Sequence, residues 1–181
     1  MKAYHASQVP LEPGSLLESR FFTPQNLFHV HAIESAMNEG SGVLKAVLLA
    51  EHIRSRGNSL HIQFAFNEVL LERMRVKFFP ERPARNGSIF VSPTIADASA
   101  FRALTSNHRP HLYVCEIEHD EPFIADLNLV TSANPLAPIT TQIEYLETNG
   151  QRYWKGDLTG EPIREILAPS GTVKVTARAE W

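Results

Sequence analysis

The spacing of hydrophobic residues changes period along this chain, and the changes mark its elements. Residues 2–7, Lys-Ala-Tyr-His-Ala-Ser, read as a first strand, and Pro10 with Pro13-Gly14 turns the chain after it. Thr23-Pro24 predicts a helix start, because proline suits the first helical position. Leu27, Val30, Ile33 and Met37 then recur at near-helical spacing until Glu39-Gly40-Ser41-Gly42 breaks the pattern. The clearest helix spans 43–56. Val43, Leu44, Val47, Leu48 and Ile53 can share a face, Arg54 and Arg56 fall in the last turn, and Gly57 stops it. A further helix is predicted over 60–79, on a looser period through Phe64, Val69, Leu70, Leu71, Met74 and Phe78, and Pro80 ends it.

Beyond Pro80 the period shortens to two. Asn86-Gly87 predicts a turn, since both residues tolerate positive φ. Residues 88–92 alternate polar and apolar as a strand, and Pro93 ends it. Thr94 can cap a helix over 95–101, with Asp97 at capping-box spacing. A strong strand is expected over 111–118 and a short extended run over 123–130, whose one buried-looking acid is Asp126. A short helix is expected over 139–146, a turn at Asn149-Gly150, a strand entered from 161–167, and an alternating last strand over 172–178. Strands at the start and in the second half, with helices grouped between, argue for an α+β fold. The chain of 181 residues suggests a single domain, 1–181, carrying 24–79 as a helical insertion.

Composition narrows the class. An apolar fraction of 43% and a charged fraction of 20% are those of an ordinary globular protein. A net charge of -3 argues against broad, non-specific nucleic-acid binding. The single cysteine, Cys115, excludes an intrachain disulfide and fits a reducing compartment; its place in an apolar strand makes it a core residue. The start of the sequence lacks a basic-then-apolar run, and the longest apolar run, 46–50, is too short to span a bilayer. A cytoplasmic location, without a membrane partner, is therefore expected. His29 and His31 would diverge on a helix and have no third ligand at suitable spacing, so no metal is expected.

Chemistry is concentrated in extended segments that each deliver polar side chains. These are His5, the Arg85/Ser88/Ser92 group, Asp126 and the Glu161/Glu165 pair. Arg82 and Arg85 precede a strand that runs straight into a helix N-terminus, an arrangement suited to an anion. Each residue also has a structural reading: His5 as a capped strand end, Asp126 as a turn former, Glu165 as an edge-strand charge.

In this order, the set resembles the ADP-ribosyltransferase superfamily. Tyr4-His5-Ala6-Ser7 is similar to the Tyr-His-Gly-Thr of the rifampicin-modifying branch. Ser88-Ile89-Phe90-Val91-Ser92, followed by an alanine-rich helix, stands where that branch has Ile-Tyr-Phe-Thr. Leu112-Tyr113-Val114-Cys115-Glu116 and then Glu121-Pro122-Phe123-Ile124-Ala125-Asp126-Leu127-Asn128-Leu129 resemble its later strand and its Pro-Phe-acid-acid-Pro-Asn-Leu loop. The second half also looks like a family of uncharacterised bacterial domains placed in that superfamily. The likeness covers residues 1–20 and about 78–178 and leaves 24–79 unexplained.

The resemblance implies a pair of small packed β-sheets clamping NAD as co-substrate. It implies that His5 holds the nicotinamide-side ribose and that the Ala6 backbone pairs with the carboxamide, with Tyr4 and Ser7 beside them. Phe90 takes the place of a stacking aromatic that is commonly tyrosine, between Ser88 and Ser92, and Arg85 could clamp the pyrophosphate as a guanidinium fork. Two acids compete: Asp126 matches the rifampicin-modifying branch, Glu165 the larger superfamily. A carboxylate is needed because breaking the nicotinamide–ribose bond builds positive charge on the ribose. The implied activity is ADP-ribose transfer to a macromolecular acceptor, protein or nucleic acid, in a bacterial toxin or effector with a cognate antitoxin or immunity protein as partner. An RNA 2′-phosphotransferase-like enzyme, with Arg82, Arg85, Arg102 and Arg109 facing RNA, and an inactive binding module on the same fold are the alternatives.

Overall fold

The computed structural model describes residues 1–19, 24–38, 42–57, 59–104, 108–119, 121–131 and 138–181. Among these the protein is a mixed α+β structure. In chain order the elements are β1 (Lys2–Ser7), α1 (Pro24–Asn38), α2 (Gly42–Arg54), α3 (Ser59–Phe78), β2 (Ser88–Val91), α4 (Ile95–Leu104), β3 (His111–Ile117), β4 (Phe123–Asp126), α5 (Ile139–Lys155), β5 (Arg164–Pro169) and β6 (Val173–Ala179). The strands form two small antiparallel sheets, in the orders β1-β3-β6 and β2-β5-β4. The residues divide into two compact units. One holds both sheets and α4; the other holds α1, α2, α3 and nearly all of α5.

In the sheet unit, alternation and burial agree where a strand has one wet face. Along β6, Val173 and Val175 point inward while Lys174 and Thr176 face water. The central strand β5 shows no such alternation, because Glu165 to Ala168 are all buried. Ala3, Ile89, Val91, Tyr113, Cys115 and Ile166 belong to one core fed by both sheets. The sheets also meet through backbone: Tyr4 and Ser92 exchange N–H to carbonyl bonds of 2.8 Å each. Thr94 caps α4 as its sequence suggests, its Oγ1 accepting the Asp97 N–H at 3.1 Å.

In the helical unit, Ile33, Met37, Val47, Phe66, Val69 and Ile139 share a second core. The expected apolar face of α2 is rotated. Ala46 and Ala50 are fully buried with Val47, whereas Val43, Leu44 and Leu48 are exposed. Small side chains on the inner face let neighbouring helices approach closely. Residues 39–41 of the expected break Glu39-Gly40-Ser41-Gly42, and Thr23 of the expected helix start, lie outside the described residues.

Three other expectations are corrected. The helix expected over 139–146 is α5, which runs on to Lys155, straight through Asn149-Gly150. Gly150 is there for space: a Cβ would sit 3.0 Å from Met74 Sδ and 3.4 Å from Leu71 Cδ2. The run 123–130 is extended only to Asp126, because the Asp126 carboxylate accepts the Asn128 N–H at 3.0 Å and curls the chain into one 3-10 turn, Leu127–Leu129. The turn at Arg85–Gly87 is likewise 3-10, so Gly87 needs no positive φ; Ser88 Oγ closes it by donating to the Ala84 carbonyl at 2.8 Å.

Candidate functional site

A shallow, open cleft lies at the junction of β1 and β2. Tyr4, Ala6, Phe90, Ser92 and Glu165 line it, together with Phe101, Leu127, Ile163 and Arg164. The topology explains this convergence. Tyr4 stands opposite Ser92, and β2 runs antiparallel to β5 with Val91 opposite Ile166, so Glu165 follows in line with Ser92. Five residues singled out from sequence thus meet at one place.

His5 lies behind this wall. Its Nδ1 is 3.1 Å from the Phe90 carbonyl, which can only accept, so Nδ1 carries the proton and donates. Burial pushes the imidazole below its ordinary pKa; the bond to Phe90 works against this, and the Arg109 charge adds to it. His5 is therefore neutral at pH 7, with its Nδ1 pinned across the sheet junction.

The two competing acids have different surroundings. Asp126 is fully buried and is not among the cleft-lining residues. Its Oδ1 accepts the backbone N–H groups of Asn128 and Ile163, each at 3.0 Å, and its Oδ2 accepts the Thr159 N–H at 2.8 Å and the Thr159 hydroxyl at 2.6 Å. These bonds close the 126–128 turn and tie it to the 159–163 stretch. Glu165 lines the cleft, and its Oε1 accepts from Arg85 Nη1 at 2.5 Å. Arg85 is itself buried and lies over the Phe90 ring, its Cζ 4.8 Å from the ring centroid. The expected pyrophosphate clamp thus sits against a carboxylate and an aromatic ring. Ser7 and Ser88 serve local turns: Ser7 Oγ donates to the Val9 carbonyl at 2.7 Å, and Ser88 closes the turn before β2. Glu161 is exposed and precedes β5.

The model of the family described as "Protein of unknown function (DUF2441)" matches residues 25–180. The chain belongs to that family. No curated protein matches it. In this DUF2441 protein the matched span holds β2, β5, both acids and most of the cleft wall, while β1 with Tyr4, His5 and Ala6 precedes it.

Two arginines at the DUF2441 cleft make contacts that local sequence does not report, and of the two only Arg109 is singled out from sequence. Arg164, on the cleft wall, is held by Asp97: its N–H and Nε donate to Oδ1 at 3.0 and 3.3 Å, and Nη2 to Oδ2 at 2.9 Å. Burial pushes the Asp97 carboxyl up, but the bonds from Arg164 and from the Thr94 hydroxyl outweigh it and hold the group below its ordinary range. Arg109 donates from Nη1 to the Ala6 carbonyl at 3.1 Å. The partners lie 67 and 103 residues apart, a separation that no local pattern reports. Among the described residues no three His, Cys, Asp or Glu side chains gather closely enough to hold a metal ion. Burial raises the Cys115 thiol to about 12, so it is a core residue and not a nucleophile. No helix among the described residues is long and apolar enough to cross a membrane.

Proposed function

We propose that this protein has an ADP-ribosyltransferase-like arrangement of its two sheets and transfers ADP-ribose from NAD to a macromolecular acceptor, a protein or a nucleic acid. The reading is carried by one observation: Tyr4, Ala6, Phe90, Ser92 and Glu165 line a single cleft at the β1–β2 junction, with His5 bonded across it. In the reaction the bond between nicotinamide nitrogen and ribose C1′ breaks, and its electron pair leaves with nicotinamide. The Glu165 carboxylate faces the positive charge left on the ribose, and Arg85 fixes that carboxylate in place. The acceptor's O–H or N–H group then bonds to C1′ and releases its proton. Phe90 and the backbone near Ala6 orient the leaving ring. We assign the carboxylate role to Glu165, since Asp126 holds the loop with both oxygens.

The ion pair that buries Glu165 also favours a second reading, a binding module on the same scaffold without turnover. Nicotinamide release from NAD by purified protein separates the two. Release that is lost in His5→Ala and Glu165→Gln, but kept per folded molecule in Asp126→Asn, supports the transferase. Absence of release, together with absence of labelling when a cell lysate and labelled NAD are added, rejects it in favour of the module.

A further inference from the structure

Three arginines stand around the cleft, and two of them have carboxylate partners. Arg85 pairs with Glu165, and Arg164 pairs with Asp97 at 2.9 Å. Arg109 makes no ion pair among the described residues: its contacts are the Ala6 carbonyl at Nη1 and the Phe101 ring, 5.1 Å from Cζ to the centroid. Ala6 and Phe101 both line the cleft. The Arg109 Nε is buried and has no hydrogen-bond partner among the described residues. His5 is neutral and supplies no compensating charge. Burial lowers the guanidinium's pKa, as expected of a cation short of both water and counter-ion. One positive charge therefore stands against the cleft wall, touching Ala6 and Phe101, with no carboxylate partner among the described residues.

We infer that the cleft takes a ligand carrying a phosphate or diphosphate group, for which Arg109 is the counter-charge and the specificity-determining residue. The guanidinium is suited to this: only one of its five N–H donors is used at Ala6, and a planar fork matches phosphate oxygens. Stacking on Phe101 and the bond to Ala6 hold it in place before the ligand arrives. That the anion is the diphosphate of NAD rests on the proposed function; the anion site itself does not.

The test is calorimetric titration of the full chain with inorganic pyrophosphate, ADP-ribose and adenosine, at two salt concentrations. Wild type, Arg109→Gln, Arg109→Lys and the exposed-strand control Arg178→Gln are compared, each checked for an unchanged circular dichroism spectrum. Pyrophosphate and ADP-ribose are expected to bind wild type and Arg178→Gln alike, more weakly at high salt. They should lose about tenfold or more in Arg109→Gln, with part regained in Arg109→Lys. Adenosine should not distinguish the variants. Failure of wild type to bind either phosphate compound, or equal affinity in Arg109→Gln, overturns the inference. Phosphate binding that depends on Arg109 in a protein that releases no nicotinamide would uphold it while rejecting the transferase.

Discussion

Arg85 and Glu165, 80 residues apart in sequence, meet at 2.5 Å with side chains only 6% and 7% exposed. Water solvates neither charge well, so each depends on the other. Removing one partner of such a pair costs about 3–5 kcal/mol, whereas replacing both by apolar groups of similar size is near neutral. Arg85→Met is expected to lose stability on that scale in urea unfolding, and Arg85→Met/Glu165→Leu to regain most of it. A double variant whose loss equals the sum of the single losses would show that the two charges are not coupled.

Asp126 has a different duty from Glu165. Asp126→Asn retains one acceptor oxygen and places an amide donor against N–H groups. Each buried donor left without an acceptor costs about 1–3 kcal/mol. The variant should unfold at clearly lower urea concentration while its behaviour toward ligands, per folded molecule, is unchanged. Unaltered stability in Asp126→Asn would contradict the loop-tying role given to its four bonds.

His5 sets a pH limb. Burial holds its folded pKa below the usual 6.5. As pH falls through 6.5, the unfolded chain takes up a proton that the folded chain refuses, so the contribution of His5 to stability is fully present above that value and declines below it. The stability difference between wild type and His5→Asn is expected to be constant above about pH 7 and to move against wild type between about pH 6.5 and pH 5. A difference that stays flat over that window would mean His5 protonates as readily in the fold as out of it.

Gly150 tests helix packing. Alanine there gains about 1 kcal/mol of helix propensity but places its Cβ 3.0 Å from Met74 Sδ. Met74 is flexible at that end and can shift, so Gly150→Ala should fall within about 1 kcal/mol of wild type. Gly150→Val adds two methyl groups to the same gap and should cost about 1–3 kcal/mol. Thermal unfolding of both variants is sufficient, and a valine variant as stable as wild type would remove the close approach as the reason for glycine.

What the sequence makes legible is local. The strand at Ser88 to Val91, the alternation at Val173 to Val175, the Thr94 cap and the Gly57 stop all arise within a few residues and reappear in the structure. Misreadings arise where tertiary contact overrides a local signal. Asn149-Gly150 is a turn dipeptide inside a helix because a neighbour needs the space, and α2 buries alanines in place of its bulkier leucines. The cleft is legible only as a set. The sequence picks out Tyr4, Ala6, Phe90, Ser92 and Glu165, but it cannot report which guanidinium meets which carboxylate. Those pairings cross 67 to 80 residues and are fixed by strand register.

The strand β5 lies between β2 and β4, yet it leaves the ribosome after both. Its two neighbours cannot bond to each other across the gap it will fill. A growing chain that stops short of residue 164 therefore has no second sheet, no Glu165 and no far wall to the cleft. Whatever this cleft does, it begins to do only after β5 has been made, and a fragment released earlier by a stalled ribosome carries none of that activity.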